Sequence, residues 1–145
     1  MDDIVEFQEA HSDKTKSVRG KNVEKKDHDA SGWDWRGKGA IKVASSHWDI
    51  LGWGIDNYSR HKGQGSEQKL WMVTYFVKTV FTPSAVDIYS RDPEGLSPEL
   101  VMDIKKALKR TGHPELARLT DELYECRRDN IKHCNNIMKA QSTPM

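Results

Sequence analysis

The sequence predicts an α+β protein, a curved antiparallel β-sheet of about six strands followed by two C-terminal helices. Three observations carry that prediction. The stretch 33–54, WDWRGKGAIKVASSHWDILGWG, holds four of the five tryptophans. Its first half alternates, with Trp33, Trp35, Gly37, Gly39, Ile41 and Val43 on one face and Asp34, Arg36, Lys38, Ala40 and Lys42 on the other. A period of two marks a half-buried strand, and glycines at alternate positions let a sheet bend sharply. The run 70–81, LWMVTYFVKTVF, is apolar on both faces, so something must cover each of them. Beyond Ser97 the apolar period becomes that of helices.

Taken in order, Asp3 to Gln8 reads as a short strand and Ser17 to Glu24 as a weaker one, with Val18 and Val23 its large apolar residues. Polar segments at 9–15 and 25–32 separate these strands from each other and from the Trp-rich hairpin, by composition a turn and a solvated loop. That hairpin turns near Ser45-Ser46 and returns through Trp48, Ile50 and Trp53. Residues 55–68 carry glycines and charges with little to bury, an exposed connection. After 70–81, the Thr82-Pro83-Ser84 turn leads into a last strand from Ala85 to Arg91. Ser97 is a suitable N-cap, Pro98 suits the first helical position, and Glu99 favours the positive end of the helix. Leu100, Val101, Ile104, Ala107 and Leu108 form its apolar stripe, and Gly112 is its left-handed stop. Pro114 opens a second helix carrying Leu116, Leu119, Leu123 and Tyr124, whose pattern runs on toward Ile131.

The chain of 145 residues suffices for one domain with a real core. A formal net charge of +1 gives no large field for nucleic acid or an anionic membrane, and no apolar run approaches a bilayer span. The acidic opening MDDIVEFQEA lacks the pattern of a secretory signal, so the expected location is cytoplasmic. Cys126 and Cys134, read as sharing a helix, would sit about 12 Å apart, too far to bridge. His133 beside Cys134 has no ligand spacing to support a metal site, and no metal or cofactor is expected.

The runs RGKGAIKVASSHWDILGWG and TYFVKTVFTPSAVDIYSRDPEGLSPEL resemble a family of small lipocalin-like (calycin-type) proteins of filamentous fungi, over about residues 3–129. That resemblance implies an antiparallel barrel with an internal pocket and C-terminal helices; with no internal repeat or domain boundary in the sequence, one domain over 1–138 is expected, and the last residues, 139–145, should fray as chain ends do. It also implies binding of apolar small molecules, and in some related barrels cofactor-free rearrangement or decarboxylation. Such barrels open with a Gly-x-Trp strand and a second strand ahead of the part matching Asp3 to Gln8. Here the chain starts at Met1, so the expected barrel is incomplete or has its edge filled by a partner.

Three groups of residues are candidates for chemistry. A turn at Thr82–Ala85 would pair Val80 with Asp87, Lys78 with Tyr89 and Phe76 with Arg91, gathering Lys78, Asp87, Tyr89 and Arg91 on one face near Thr74. The cations would hold a carboxylate or enolate while Tyr89 or Asp87 moves a proton. An exposed face of cross-strand ion pairs accounts for the same residues and is the simpler reading. Arg36, Lys38 and Lys42 form a basic row that would meet an anionic group at a barrel mouth, or simply face solvent. Trp33, Trp35, Trp71 and Tyr75 would line an apolar pocket, or fill a core. His47, placed at the hairpin tip, has no sequence neighbour to set its tautomer, and no hydrolase, phosphate-loop or metal motif is present.

The expected function is binding of an apolar or weakly anionic small molecule, with Trp33, Trp35, Arg36, Lys38, His47, Trp71 and Tyr75 around it. The alternatives are a cofactor-independent isomerase, cyclase or lyase acting through Lys78, Asp87, Tyr89 and Arg91, and an interaction module that pairs copies through an open sheet edge.

Overall fold

A computed structural model describes residues 1–8, 12–25, 32–58, 69–92, 94–126 and 136–141. Six strands come first: β1 (Asp2–Gln8), β2 (Thr15–Glu24), β3 (Gly32–Gly37), β4 (Ser45–Ile55), β5 (Leu70–Phe76) and β6 (Ala85–Ser90). Two helices follow, α1 (Pro98–Arg110) and α2 (Pro114–Asp121), then the short β7 (Tyr124–Glu125) and β8 (Asn136–Gln141). Among the described residues all strands belong to one antiparallel sheet, in the order β1-β2-β3-β4-β5-β6-β8-β7. The first six therefore meander, each beside its predecessor, and curl into a half-barrel followed by the helices, the predicted α+β arrangement.

The Trp48 indole N–H on β4 reaches the Asn22 side chain on β2 at 3.0 Å across the intervening β3, so side chains of strands two apart close together on that face. That face, which also carries Asp3 and Tyr89, is the inner, concave one. The outer face carries Val73, Val86 and Ile88, which pack with Ile104 and Leu108 of α1 and with Leu119 and Leu123 to form the core. Burial of these side chains is what holds both helices against the sheet.

Polar anchors set where the helices sit. Asp56, buried just past β4, accepts hydrogen bonds from the backbone N–H of Ser97 (2.8 Å) and from its hydroxyl (2.9 Å). Ser97 in turn caps α1 by accepting from the Leu100 N–H, with Pro98 in the first turn, as predicted. Gly112, at φ +74°, ends α1 in the left-handed region. Glu115, in the first turn of α2, accepts from the Tyr75 phenol (2.8 Å) and the Ser84 hydroxyl (2.5 Å), tying α2 to β5 and to the start of β6.

Several boundaries differ from the sequence-based expectation. β3 stops at Gly37 and a 3-10 turn spans Gly39–Ile41, so Ile41 and Val43 belong to the turn rather than to the strand. Gly37 and Gly39 serve that turn. A Cβ on Gly37 would collide with the Ile41 carbonyl oxygen, and Gly39 sits at φ +65°. β5 stops at Phe76, because the Thr79 hydroxyl captures the N–H groups of Phe81 and Thr82 and turns the chain early. α2 ends at Asp121 and the chain passes to β7, so Cys126 does not lie in a helix. Residues 139–141, read as tail, belong to β8, which pairs with β6. Ile131, His133, Cys134 and residues 9–11, 26–31 and 59–68 lie outside the described residues.

Candidate functional site on the concave face

Registry brings the aromatic residues of three strands together. Trp33 on β3 pairs with Trp48 on β4, and Trp48 with Phe76 on β5. Residues directly opposite share a face, so all three stand on the concave side with Thr74, Asp87 and Tyr89. Their rings stack. Trp33 and Trp48 are 5.8 Å apart at 13°, and Trp48 and Phe76 are 6.0 Å apart at 28°. Such offset-stacked pairs contribute about 0.5–1.5 kcal/mol each beyond the area they bury. The row is only half-buried, because both helices cover the opposite face.

Two contacts fix the row from behind. Asn22 on β2 is buried, and its side-chain oxygen accepts the Trp48 indole N–H at 3.0 Å across the intervening β3. Trp35, one step along β3 on the same face, lies over Gly20 of β2. A Cβ there would fall 2.2 Å from the indole. The bare backbone of Gly20 is the seat for that ring.

Beside the stack is a polar floor. Tyr89 donates to Asp87 at 3.2 Å, and Thr74 sits opposite Asp87 in the register. Burial, then the Asp87 charge, hold the Tyr89 phenol above its ordinary range, so it stays protonated at neutral pH. The Thr74 hydroxyl is buried without a regular hydrogen-bond partner among the described residues, yet lies near enough to the phenol to favour its ionised form slightly. Asp87 is opposite Lys139 of β8 in the register.

The predicted site residues are distributed differently from the expectation. Asp87 and Tyr89 meet, but Lys78 sits exposed in the turn after β5. Arg91 is exposed just past β6, its backbone N–H donating to the Leu70 carbonyl. The early end of β5 puts Thr74 rather than Val80 opposite Asp87, so the four-residue group splits. Trp33 and Trp35 face inward, whereas Trp71 and Tyr75 face outward beneath the helices. Trp71 lies on Gly54, where a Cβ would come within 3.1 Å of its ring, which accounts for the glycine. Arg36 is exposed opposite Ser45 on the outer face, and Lys42 is exposed in the turn before β4. Lys38 pairs with Asp2 at 2.6 Å, a contact that lowers the Asp2 carboxyl below its usual range.

His47 is not at a tip but within β4. On the outer face its Nδ1 is 2.9 Å from Asp34 and its Nε2 3.3 Å from Asp49, so both ring nitrogens are engaged by carboxylates. Among the described residues no group of His, Cys, Asp and Glu is arranged to hold a metal ion, and no helix is long and apolar enough to cross a membrane.

Sequence reasoning missed Trp48, Phe76 and Asn22 as members of the concave site. The signal for Trp48 lay in the hairpin: with a turn ending at Ala44, Trp48 must face Trp33. Asn22 had no local signal, since its partner is two strands away.

Comparison with protein-family models, with curated proteins and with solved structures found no match. The fold and site define the chain as a curled antiparallel half-barrel with an aromatic concave face.

Proposed function

We propose that the chain binds a flat, apolar small molecule on the concave face of the half-barrel. The observation that carries this reading is the half-buried stack Trp33–Trp48–Phe76, positioned by Asn22 on the side of the sheet away from the helices. Rigid rings offer contact area at little entropic cost, and a polar floor at one edge fixes orientation, the usual economy of a small-molecule site. Thr74 and Tyr89 supply that floor, Tyr89 as a protonated phenol. The anionic half of the expected ligand class loses its support. Arg36 lies on the outer face, and Lys38 is engaged by Asp2. The rearrangement reading loses its cations in the same way, because Lys78 and Arg91 stand away from Asp87 and Tyr89.

A neutral fluorescent aromatic, N-phenyl-1-naphthylamine, tests the proposal. It should bind saturably, raise the unfolding temperature and quench tryptophan emission. Trp33→Leu, with circular dichroism to show that the fold is kept, should weaken binding by about fivefold to tenfold, the loss of one aromatic contact. Tyr58→Leu, at a phenol bonded to Asp103 of α1 on the helix side of the sheet, should leave it unchanged. Equal binding by wild type and Trp33→Leu, or no saturable binding at all, would sink the proposal.

A further inference from the structure

Trp53 is 75% exposed, whereas the other four tryptophans are half-buried. The register places it opposite Met72 on β5, and Met72 opposite Tyr89 on β6, so its indole stands on the concave face. It gets there through an irregularity. Ile50 is opposite Thr74 and Gly52 opposite Val73, which leaves Leu51 as an extra residue in β4. Unbroken alternation from Trp48 and Ile50 would turn Gly52 and Gly54 inward and Trp53 outward. The bulge reverses this: both glycines face outward, against the Trp71 ring, and Trp53 faces inward.

The outer half of that exchange is explained by packing, since the Trp71 ring rests on the bare backbone of Gly54. The inner half is not. β3 begins at Gly32, opposite Asp49, so Trp53 lies past the end of that strand. Among the described residues its ring stacks on no other and its indole N–H makes no hydrogen bond. A single exposed indole is ordinary on a protein surface. This one differs because a bulge turns it to the side of the sheet that carries the aromatic stack.

The ground between them is continuous. Phe76, Thr74 and Met72 follow one another along the concave face of β5, opposite Trp48, Ile50 and Trp53 respectively. The step from Phe76 to Met72 covers about 13 Å at 3.3 Å per residue. Ile50 and Met72 are half-buried, so an apolar strip runs from the stack to the bare indole, with the Thr74 hydroxyl beneath it.

We propose that Trp53 is a second aromatic contact of the concave site, and that the ligand is a long apolar molecule with a flat group at each end, about 13 Å apart. One end lies on Trp33–Trp48–Phe76, the other on Trp53, and the connecting part crosses Ile50, Thr74 and Met72. The inference rests on the ligand-binding reading and adds to it the length of the ligand and the residue that selects for that length.

The test compares two uncharged probes on the full chain. Diphenylhexatriene is a rod with a phenyl ring at each end, whereas the rings of N-phenyl-1-naphthylamine are joined through a single nitrogen and cannot reach both contacts. Titrations followed by tryptophan quenching should show the rod bound more tightly. Trp53→Ala should weaken binding of the rod by about fivefold to tenfold, the loss of one aromatic contact, and so abolish its advantage. Circular dichroism should not change, because the side chain stands in solvent. Trp53→Phe should restore most of the preference, and Trp33→Leu should weaken both probes. Equal binding of the rod by wild type and Trp53→Ala, or a loss as large for the short probe, overturns the inference. Short-probe binding that still depends on Trp33 would then leave the single-contact reading in place, whereas no saturable binding of either probe sinks both.

Discussion

At the scale of single residues, the concave face depends on absences as much as on rings. Trp35 occupies the space that a side chain at position 20 would fill, 2.2 Å from an added Cβ. Gly20→Ala should therefore displace the indole and cost about 1–3 kcal/mol, the usual range for overpacking a close-packed site. A urea titration reads this directly, and an unchanged midpoint would mean the ring swings aside freely. The alternation Trp33–Trp35 was legible because it needs only one strand. Gly20 opposite Gly37 was not, because the reason for that glycine is a side chain on a neighbouring strand.

At the scale of elements, α2 is held by one carboxylate with two donors. Hydrogen bonds from Ser84 and then Tyr75 lower the Glu115 carboxyl below its ordinary value of 4.5. A depressed acid contributes stability that is present above the unfolded-state value and lost as pH falls through the folded one. The wild type should thus lose unfolding temperature below about pH 4.5 more steeply than Glu115→Gln. Tyr75 behaves oppositely: burial, then the bond to Glu115, push it up to about 12 from 10.0. Its contribution is complete below about pH 10 and disappears as pH rises toward 12, so Tyr75→Phe should flatten the alkaline limb of the same melting profile. Helix positions were legible from caps and stripe, since Ser97, Pro98 and Gly112 act locally. The register of β5 with β6 was not, because two threonine hydroxyls decide where the strand ends. The bulge between Ile50 and Gly52 likewise switches which β4 residues face inward, and period alone does not reveal it. Trp71 and Tyr75 part company with Trp33 and Trp35 ahead of that bulge, because the register sets Phe76 rather than Tyr75 opposite Trp48.

At the scale of the molecule, β8 covers the flank of β6 and supplies the only partner of β7 among the described residues. A chain ended at Cys126 would leave β6 as a bare edge carrying unpaired backbone groups. Its mass should rise with concentration and its unfolding broaden, as seen by analytical ultracentrifugation and thermal denaturation. A truncated monomer that melts as sharply as the full chain would show that β8 is dispensable. Only its second half, 139–141, falls in the tail that the sequence predicts, because NIMKAQ lacks a strong pattern of its own. Its conformation is imposed by the ladder it completes.

The meander also sets a calendar for synthesis. Each of the first six strands can pair with its predecessor as it leaves the ribosome, so the inner face with its aromatic row is assembled from residues 1–90. The outer face is not. Val73, Val86 and Ile88 wait for Ile104, Leu108 and Leu119, which arrive only with the helices. During that interval the nascent chain shows the cell its core, and that side of the sheet is where a chaperone would take hold.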